Sequence, residues 1–306
     1  MDNLSDLSPI DAEHLSIRFG LERRNAYNAD SVGDLLKFLV LTFGVTWTCF
    51  ISVAVAIPAE KPLGYVLVLM GAYAPSFVAL ALTAWRERQQ GVRAILRQVV
   101  HWQVAKRWYL FAVLYIVAIK LTVAVILRAS TGACPRFGTT PWYFIALAVA
   151  FSTPFQAGEE IGWRGYALPR LSDHFGLRRA SIYLGVIWAV WHLPQFFIPT
   201  SDTYGQSFLI FAFQVVAISV TLSWLWNAAA KSLLLPMLLH STVNNAKDIV
   251  PSATPGPNNA FGLGASPVAW LTVLLLWVVA LYLLTRMPGL EALRLGKNCR
   301  NSDGAN

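Results

Sequence analysis

Charge is scarce in these 306 residues: 13% are Asp, Glu, Lys or Arg, against 56% hydrophobic. That balance excludes one soluble core, because a chain of this length has no interior large enough to hide so much apolar surface. Cysteine is scarcer. Cys49, Cys134 and Cys299 lie far apart, with neither the spacing of a thiolate zinc site nor that of a disulfide framework, which sets thiol chemistry aside. Residues 1–34 contain no apolar run like the core of a signal peptide and instead mix Asp2, Asp6, Asp11, Arg18, Arg23 and Arg24. The first membrane helix is therefore expected to act as its own insertion signal. No Gly-x-Ser-Gly, Gly-x-Gly-Asp or His-Glu-x-x-His sequence occurs, and no internal repeat or soluble second domain is visible.

What the chain has in abundance is apolar stretches of membrane-spanning length. A hydrocarbon core of roughly 30 Å needs about 20 mostly apolar residues per helix. Residues 35–57, 63–85, 108–127, 141–168, 181–197, 207–226, 232–247 and 267–284 meet or approach that length. The predicted fold is all-α: a polytopic membrane protein with about eight transmembrane helices around a cytosol-facing intramembrane cavity. The net charge of +8 reports topology rather than nucleic acid. With the N-terminus inside, most Lys and Arg fall on the inner side, and only Lys61, Arg128 and Arg136 fall outside. Both termini should face the cytosol, in a membrane most simply read as a bacterial inner membrane, with the lipid bilayer as the first partner.

The organisation is then a tail over 1–34, one transmembrane domain over 35–285 with its polar core at 141–247, and a basic tail over 286–306. Residues 91–107 place Val92, Ile95, Leu96 and Val99 on one helical face with Arg93, Arg97 and Gln98 on another, which suits a helix lying among headgroups. Residues 251–267, rich in Pro, Gly and Asn, read as an external loop. Thr140 followed by Pro141 is a good helix start.

Ionisable groups within spanning segments usually face the protein interior and mark function. Three such places occur together: Glu159, Glu160 and Arg164 in the fourth span, His192 after Trp188 and Trp191 in the fifth, and His240 with Asn244 in the seventh. At 1.5 Å per residue, Glu159 and His192 lie roughly 17 to 18 Å from the inner ends of their helices, and His240 roughly 12 Å from its own. The three groups can meet at one level. Glu160 and Arg164, four apart, form a helical ion pair, which leaves Glu159, about 100° away, free for chemistry. His240 and Asn244, also four apart, present two hydrogen-bonding groups in one direction, fit for an oxyanion. Lys120 in the third span reads as a structural pairing, and Gln214 in the sixth as an interhelical hydrogen bond.

Glu-Glu-x-x-x-Arg, then aromatic-x-x-x-His, then His-x-x-x-Asn, in that order on three late helices, resembles the CAAX-prenyl-protease and bacteriocin-processing family of intramembrane endopeptidases. The resemblance covers about a third of the chain, with Trp188 standing where that family usually has Phe. It implies that Glu159 acts as general base on a water, that His192 orients or activates that water, and that His240 and Asn244 stabilise the tetrahedral oxyanion. Glu160 with Arg164 would hold the site open. The expected substrate is a membrane-associated protein or peptide, of prenylated CAAX type in some relatives, and no cofactor is required.

Three other readings use the same residues. In the first, Glu159, His192 and His240 hold zinc, and the enzyme is a metalloendopeptidase. In the second, Lys120, Glu159, Glu160 and the histidines relay protons or substrate in a transporter. The third is a non-catalytic immunity scaffold.

Overall fold

This computed structural model describes residues 9–289, except 134, 253–255, 257 and 258. The tail expected over 286–306 lies outside it from residue 290 onward. Among the described residues there is no strand, and the regular elements are all helical. They are α1 (Pro9–Val55), α2 (Pro62–Val99), α3 (Lys106–Thr131), α4 (Trp142–Ser152), α5 (Ala157–Glu160), α6 (Leu168–Trp191), α7 (Phe208–Ala228), α8 (Leu234–Asn245) and α9 (Pro267–Thr285). A 3-10 turn, Thr153–Gln156, joins α4 to α5, and a π-helix, Ile161–Ala167, joins α5 to α6. From Pro9 onward the segment expected as a tail is part of α1.

The chain is a multi-pass membrane protein. Six helices among the described residues are long and apolar enough to cross a bilayer, against eight expected from hydropathy. The difference lies in two places. One of the six, Trp142–Phe197, counts as a single helical stretch of 56 residues. It folds back at Gly176, whose φ of 75° and ψ of 156° are non-helical. Glu159 and Trp188, 29 residues apart, are hydrogen-bonded at 2.6 Å, where a straight helix would hold them roughly 44 Å apart. The fourth and fifth expected spans are the two arms of this hairpin. The other difference is α8, whose 12 residues reach only about 18 Å. Lys61, Arg128 and Arg136 remain in or beside the connections, and 91–99 forms the last part of α2 after a break at Arg88, where φ is 54° and ψ is −151°.

Proline and small residues explain how these helices meet. Pro75 inside α2 has no N–H for the carbonyl of Gly71, and the hydroxyl of Thr46 on α1 donates to that carbonyl at 2.8 Å instead. Trp191 in turn donates its indole N–H to Thr46 Oγ1 at 2.9 Å, so α1, α2 and α6 are tied by one chain of bonds. On the facing helix, a Cβ added at Gly162 would lie 2.5 Å from Pro75, and one at Gly158 would lie 3.0 Å from Tyr73. Only a small-x-x-x-small pair allows α2 to approach the acidic segment this closely.

The remaining elements end where capping chemistry says they should. Ser207 and Ser266 each accept a backbone N–H in the first turn of α7 and α9. Before α8 the chain passes through positive φ at Ala230 and Lys231. The following residues are pinned to the end of α2, Leu233 N–H donating to Gln98 O at 2.8 Å and Ser232 Oγ donating to His101 O at 2.7 Å.

Candidate active site

The polar segment begins where two prolines disturb the α register. Pro154 stands in the 3-10 turn before α5, and Pro169 stands at the start of α6, where it has no N–H to offer Gly165 and its ring crowds that carbonyl. The seven residues between α5 and α6 run as a π-helix, a rare form that widens the turn by one residue. Glu159 and Glu160 close α5 just before this segment, and Arg164 lies within it.

Adjacent in sequence, the two glutamates have different surroundings. Glu160 is fully buried, and its Oε1 accepts from Arg164 Nη1 at 3.0 Å and from His240 Nδ1 at 2.8 Å. The helical ion pair expected between Glu160 and Arg164 is thus present, and the histidine of α8 joins it. Arg164 is also fully buried, its guanidinium lying over the Trp188 ring at 4.4 Å. Glu160 Oε2 and Arg164 Nε and Nη2 make no hydrogen bond among the described residues. Glu159 is half-buried and points the other way, its Oε2 accepting the Trp188 indole N–H at 2.6 Å.

The histidines are oriented by what their Nδ1 atoms touch. His192 Nδ1 lies 2.7 Å from the Trp188 carbonyl, which can only accept, so Nδ1 carries the proton and Nε2 of the neutral ring keeps a lone pair. Its ring stands edge-on to Trp191 at 4.7 Å and to Phe211 at 5.2 Å. His240 donates through Nδ1 to Glu160, which leaves its Nε2 as the free position. Asn244 is exposed, with its amide 3.5 Å from Gln156 Oε1, a weak contact.

Trp188 is the centre of the arrangement. Its ring meets Glu159 through the N–H, Arg164 through its face, and the imidazoles of His192 and His240 at 5.5 and 5.2 Å. The sequence marks Trp188 as supporting, and the structure gives it contact with four of the six other candidate residues. Glu160 is reached through Arg164 and His240, while Asn244 meets Gln156 and is not brought against any of the others among the described contacts. No three His, Cys, Asp or Glu side chains among the described residues are grouped to hold a metal ion, and the chemistry below is built without one.

Sequence reasoning missed a second layer that fixes α8. Ser241 Oγ donates to the Val149 carbonyl at 2.8 Å, Ser152 and Ser241 hydroxyls are 2.6 Å apart, and Asn245 Nδ2 donates to Ser152 Oγ at 2.9 Å and to Ser241 O at 2.8 Å. Ser241 and Asn245 are four apart in an apolar helix, the same signal that exposes His240 and Asn244. Ser152 carries no such mark. Lys120, read as a pairing residue, donates to the Val250 carbonyl at 3.3 Å.

Residues 139–246, which hold all these groups except Lys120, Val250 and the α1 and α2 partners, match the family model described as type II CAAX prenyl endopeptidase Rce1-like. Among curated proteins, the CAAX prenyl protease 2 of Methanococcus maripaludis is 28% identical over 143 residues, which cover 42% of this chain and 53% of that protein. The chain therefore spans about half the length of the curated relative it matches. Both comparisons bear out the resemblance carried by the three motifs.

Proposed function

We propose that the chain is an intramembrane endopeptidase acting on membrane-associated, CAAX-type peptides, with a glutamate-activated water as nucleophile. The observation that carries this reading is the convergence of Glu159, Arg164, His192 and His240 on Trp188, from two arms of one hairpin and from α8. Four ionisable side chains gathered within an apolar helical chain call for a task that needs them.

Glu159 takes a proton from water as the oxygen attacks the scissile carbonyl carbon. Half-buried and holding one hydrogen bond, it has lone pairs left for that proton. The Nε2 lone pair of His192 accepts the water's second hydrogen and so sets the direction of attack. Charge builds on the carbonyl oxygen. His240 Nδ1 is held by the Glu160 carboxylate, which leaves its Nε2 as the atom free to face that oxygen. Asn244 supplies a second donor by turning its amide from Gln156. Collapse of the tetrahedral intermediate breaks the C–N bond, and Glu159 returns its proton to the leaving amine.

Arg164 offsets the charge of Glu160 and leaves the carboxylate of Glu159 as the reactive one. On this reading the enzyme works in a bacterial inner membrane with both termini in the cytosol, and needs no cofactor. The test is hydrolysis of a quenched fluorescent prenylated peptide by the purified chain, wild type beside Glu159→Ala, each with and without a chelator. Cleavage by wild type that survives the chelator and is lost in the variant is the expected result. Full activity of Glu159→Ala overturns the mechanism, and loss of wild-type activity with chelator transfers water activation to a metal.

A further inference from the structure

A groove of about 550 Å³ runs between α3 and α9, and none of its lining residues belongs to the arrangement around Trp188. Its α3 wall is one helical face, Arg107, Leu110, Leu114 and Thr122 being three, four and eight residues apart, and Leu275 and Val278 stand on the α9 wall. Leu110, Leu114 and Val278 are exposed on the rims, while Tyr115 and Ile119 are buried in the floor. The polar side chains of the floor and wall are committed. The Tyr115 hydroxyl bonds to the Thr221 hydroxyl at 3.0 Å, and Thr122 Oγ1 donates to the Ala118 carbonyl at 2.8 Å. Beyond Arg107 the groove therefore offers apolar surface.

Arg107 lies in the first turn of α3, exposed, with its guanidinium over the Trp108 ring at 4.6 Å. The α9 wall brings a second arginine to the same end. The start of α7 is tied to the residues before α9, Phe208 N–H donating to Ala260 O at 2.8 Å, and the end of α7 meets the start of α3 through Trp224 against Trp108 at 5.4 Å. So α9 runs parallel to α7 and antiparallel to α3. Leu275, Val279, Tyr282 and Arg286, in steps of four, three and four, continue the α9 face toward the Arg107 end. Arg286 is exposed and lies over the Tyr282 ring at 5.1 Å. Neither arginine has a carboxylate partner among the described residues.

Two guanidiniums at one end of an apolar groove match a phosphate that carries a hydrocarbon chain. The length agrees. From Leu110 to Thr122 the helix rises about 18 Å, against about 15 Å for half of a bilayer core. Trp108 and Tyr282, beside the arginines, are the ring types that settle at headgroup level.

We propose that the α3–α9 groove binds an anionic phospholipid, with an acyl chain along the groove and the phosphate held by Arg107 and Arg286. The inference does not depend on the peptidase reading. An apolar face alone would take any lipid, whereas the arginines select one charge class. The prenyl chain of a peptide has no phosphate and would leave both guanidiniums unused.

The experiment measures lipid retained on the detergent-purified chain by native mass spectrometry, titrating phosphatidylglycerol and phosphatidylcholine with identical acyl chains. At about fivefold per arginine, wild type should bind the first phosphatidylglycerol on the order of 25-fold more tightly than phosphatidylcholine. Arg107→Gln and Arg286→Gln should each lower that ratio about fivefold, and Arg107→Lys should recover part of it. Ala118→Phe fills the groove, leaves both arginines in place, and should weaken both lipids. Arg93→Gln combined with Arg97→Gln removes exposed charge from α2, off the groove, and should change nothing. Thermal unfolding checks that each variant is folded. Equal binding of the two lipids by wild type, or an undiminished ratio in the Arg107 and Arg286 variants, overturns the site. An equal fall in the α2 variant also overturns it, by showing diffuse surface attraction, and full retention in Ala118→Phe overturns the groove as the seat of the chain.

Discussion

Two polar regions sit inside the same apolar bundle and treat their charges differently. Around Trp188, the cation Arg164 and the anion Glu160 are both fully buried, bonded to each other, and joined by His240. Around Lys120, an ammonium that is almost as deeply buried has, among the described residues, only a backbone carbonyl. The first region is closed by its own residues and is held together by them. The second shows no such closure among the described residues.

The sharpest way to break this comparison is at the adjacent glutamates. Glu159→Ala should lower kcat by about 10² to 10⁴-fold, the usual contribution of a general base, with little change in unfolding temperature, as read by peptide hydrolysis beside a thermal melt. Arg164→Ala should do the reverse in emphasis. It leaves the Glu160 carboxylate buried beside His240 without its guanidinium, which should destabilise the fold by about 3 to 5 kcal/mol in an unfolding titration. Lys120→Met removes a buried charge that has no described counterion, so its melting temperature should stay level or rise. A large drop there would mean that both regions are closed in the same way.

Smaller effects test the supports. Trp188→Phe keeps the ring and removes the N–H that holds Glu159, and kcat should fall about tenfold with KM nearly unchanged, since one charge-assisted hydrogen bond is lost from the reacting group. Ser152→Ala deletes the hydroxyl that ties both Ser241 and Asn245 to α4 and should destabilise by about 1 kcal/mol, measured by chemical unfolding, with activity reduced only as far as α8 loosens.

Much of this was legible in the order of residues. Apolar stretches of spanning length predict an all-helical membrane chain, and three interruptions of that pattern identify Glu159, Glu160, Arg164, His192 and His240. The ion pair four residues apart follows from helical spacing, and it survives the π register between its partners. What spacing could not supply is partnership between helices. Trp188 reads as a supporting aromatic of the second motif, but no spacing places its N–H on Glu159, and Ser152 and Thr46 are silent because their partners lie 93 and 145 residues away. Hydropathy separates the fourth and fifth spans but does not show that they are the two arms of one helical stretch, which a fold-back at Gly176 joins without a loop.

The π-helix of Ile161–Ala167 bears on how this chain compares with its relatives. Such a segment holds one residue more per turn than its flanks, so it is the place where a chain gains or loses a residue while both ends stay helical. Deleting one position there would turn everything on one side by about 100° relative to the other. With the deletion after Arg164, Glu160 and Arg164 would still meet each other, but Trp188 on the second arm would be turned away from Glu159 and Arg164, although every motif residue would still be present in order. A sequence that keeps all the letters but shifts this count by one therefore encodes a helix with its key charges facing different walls, and an alignment gap at this segment matters more than a substitution beside it.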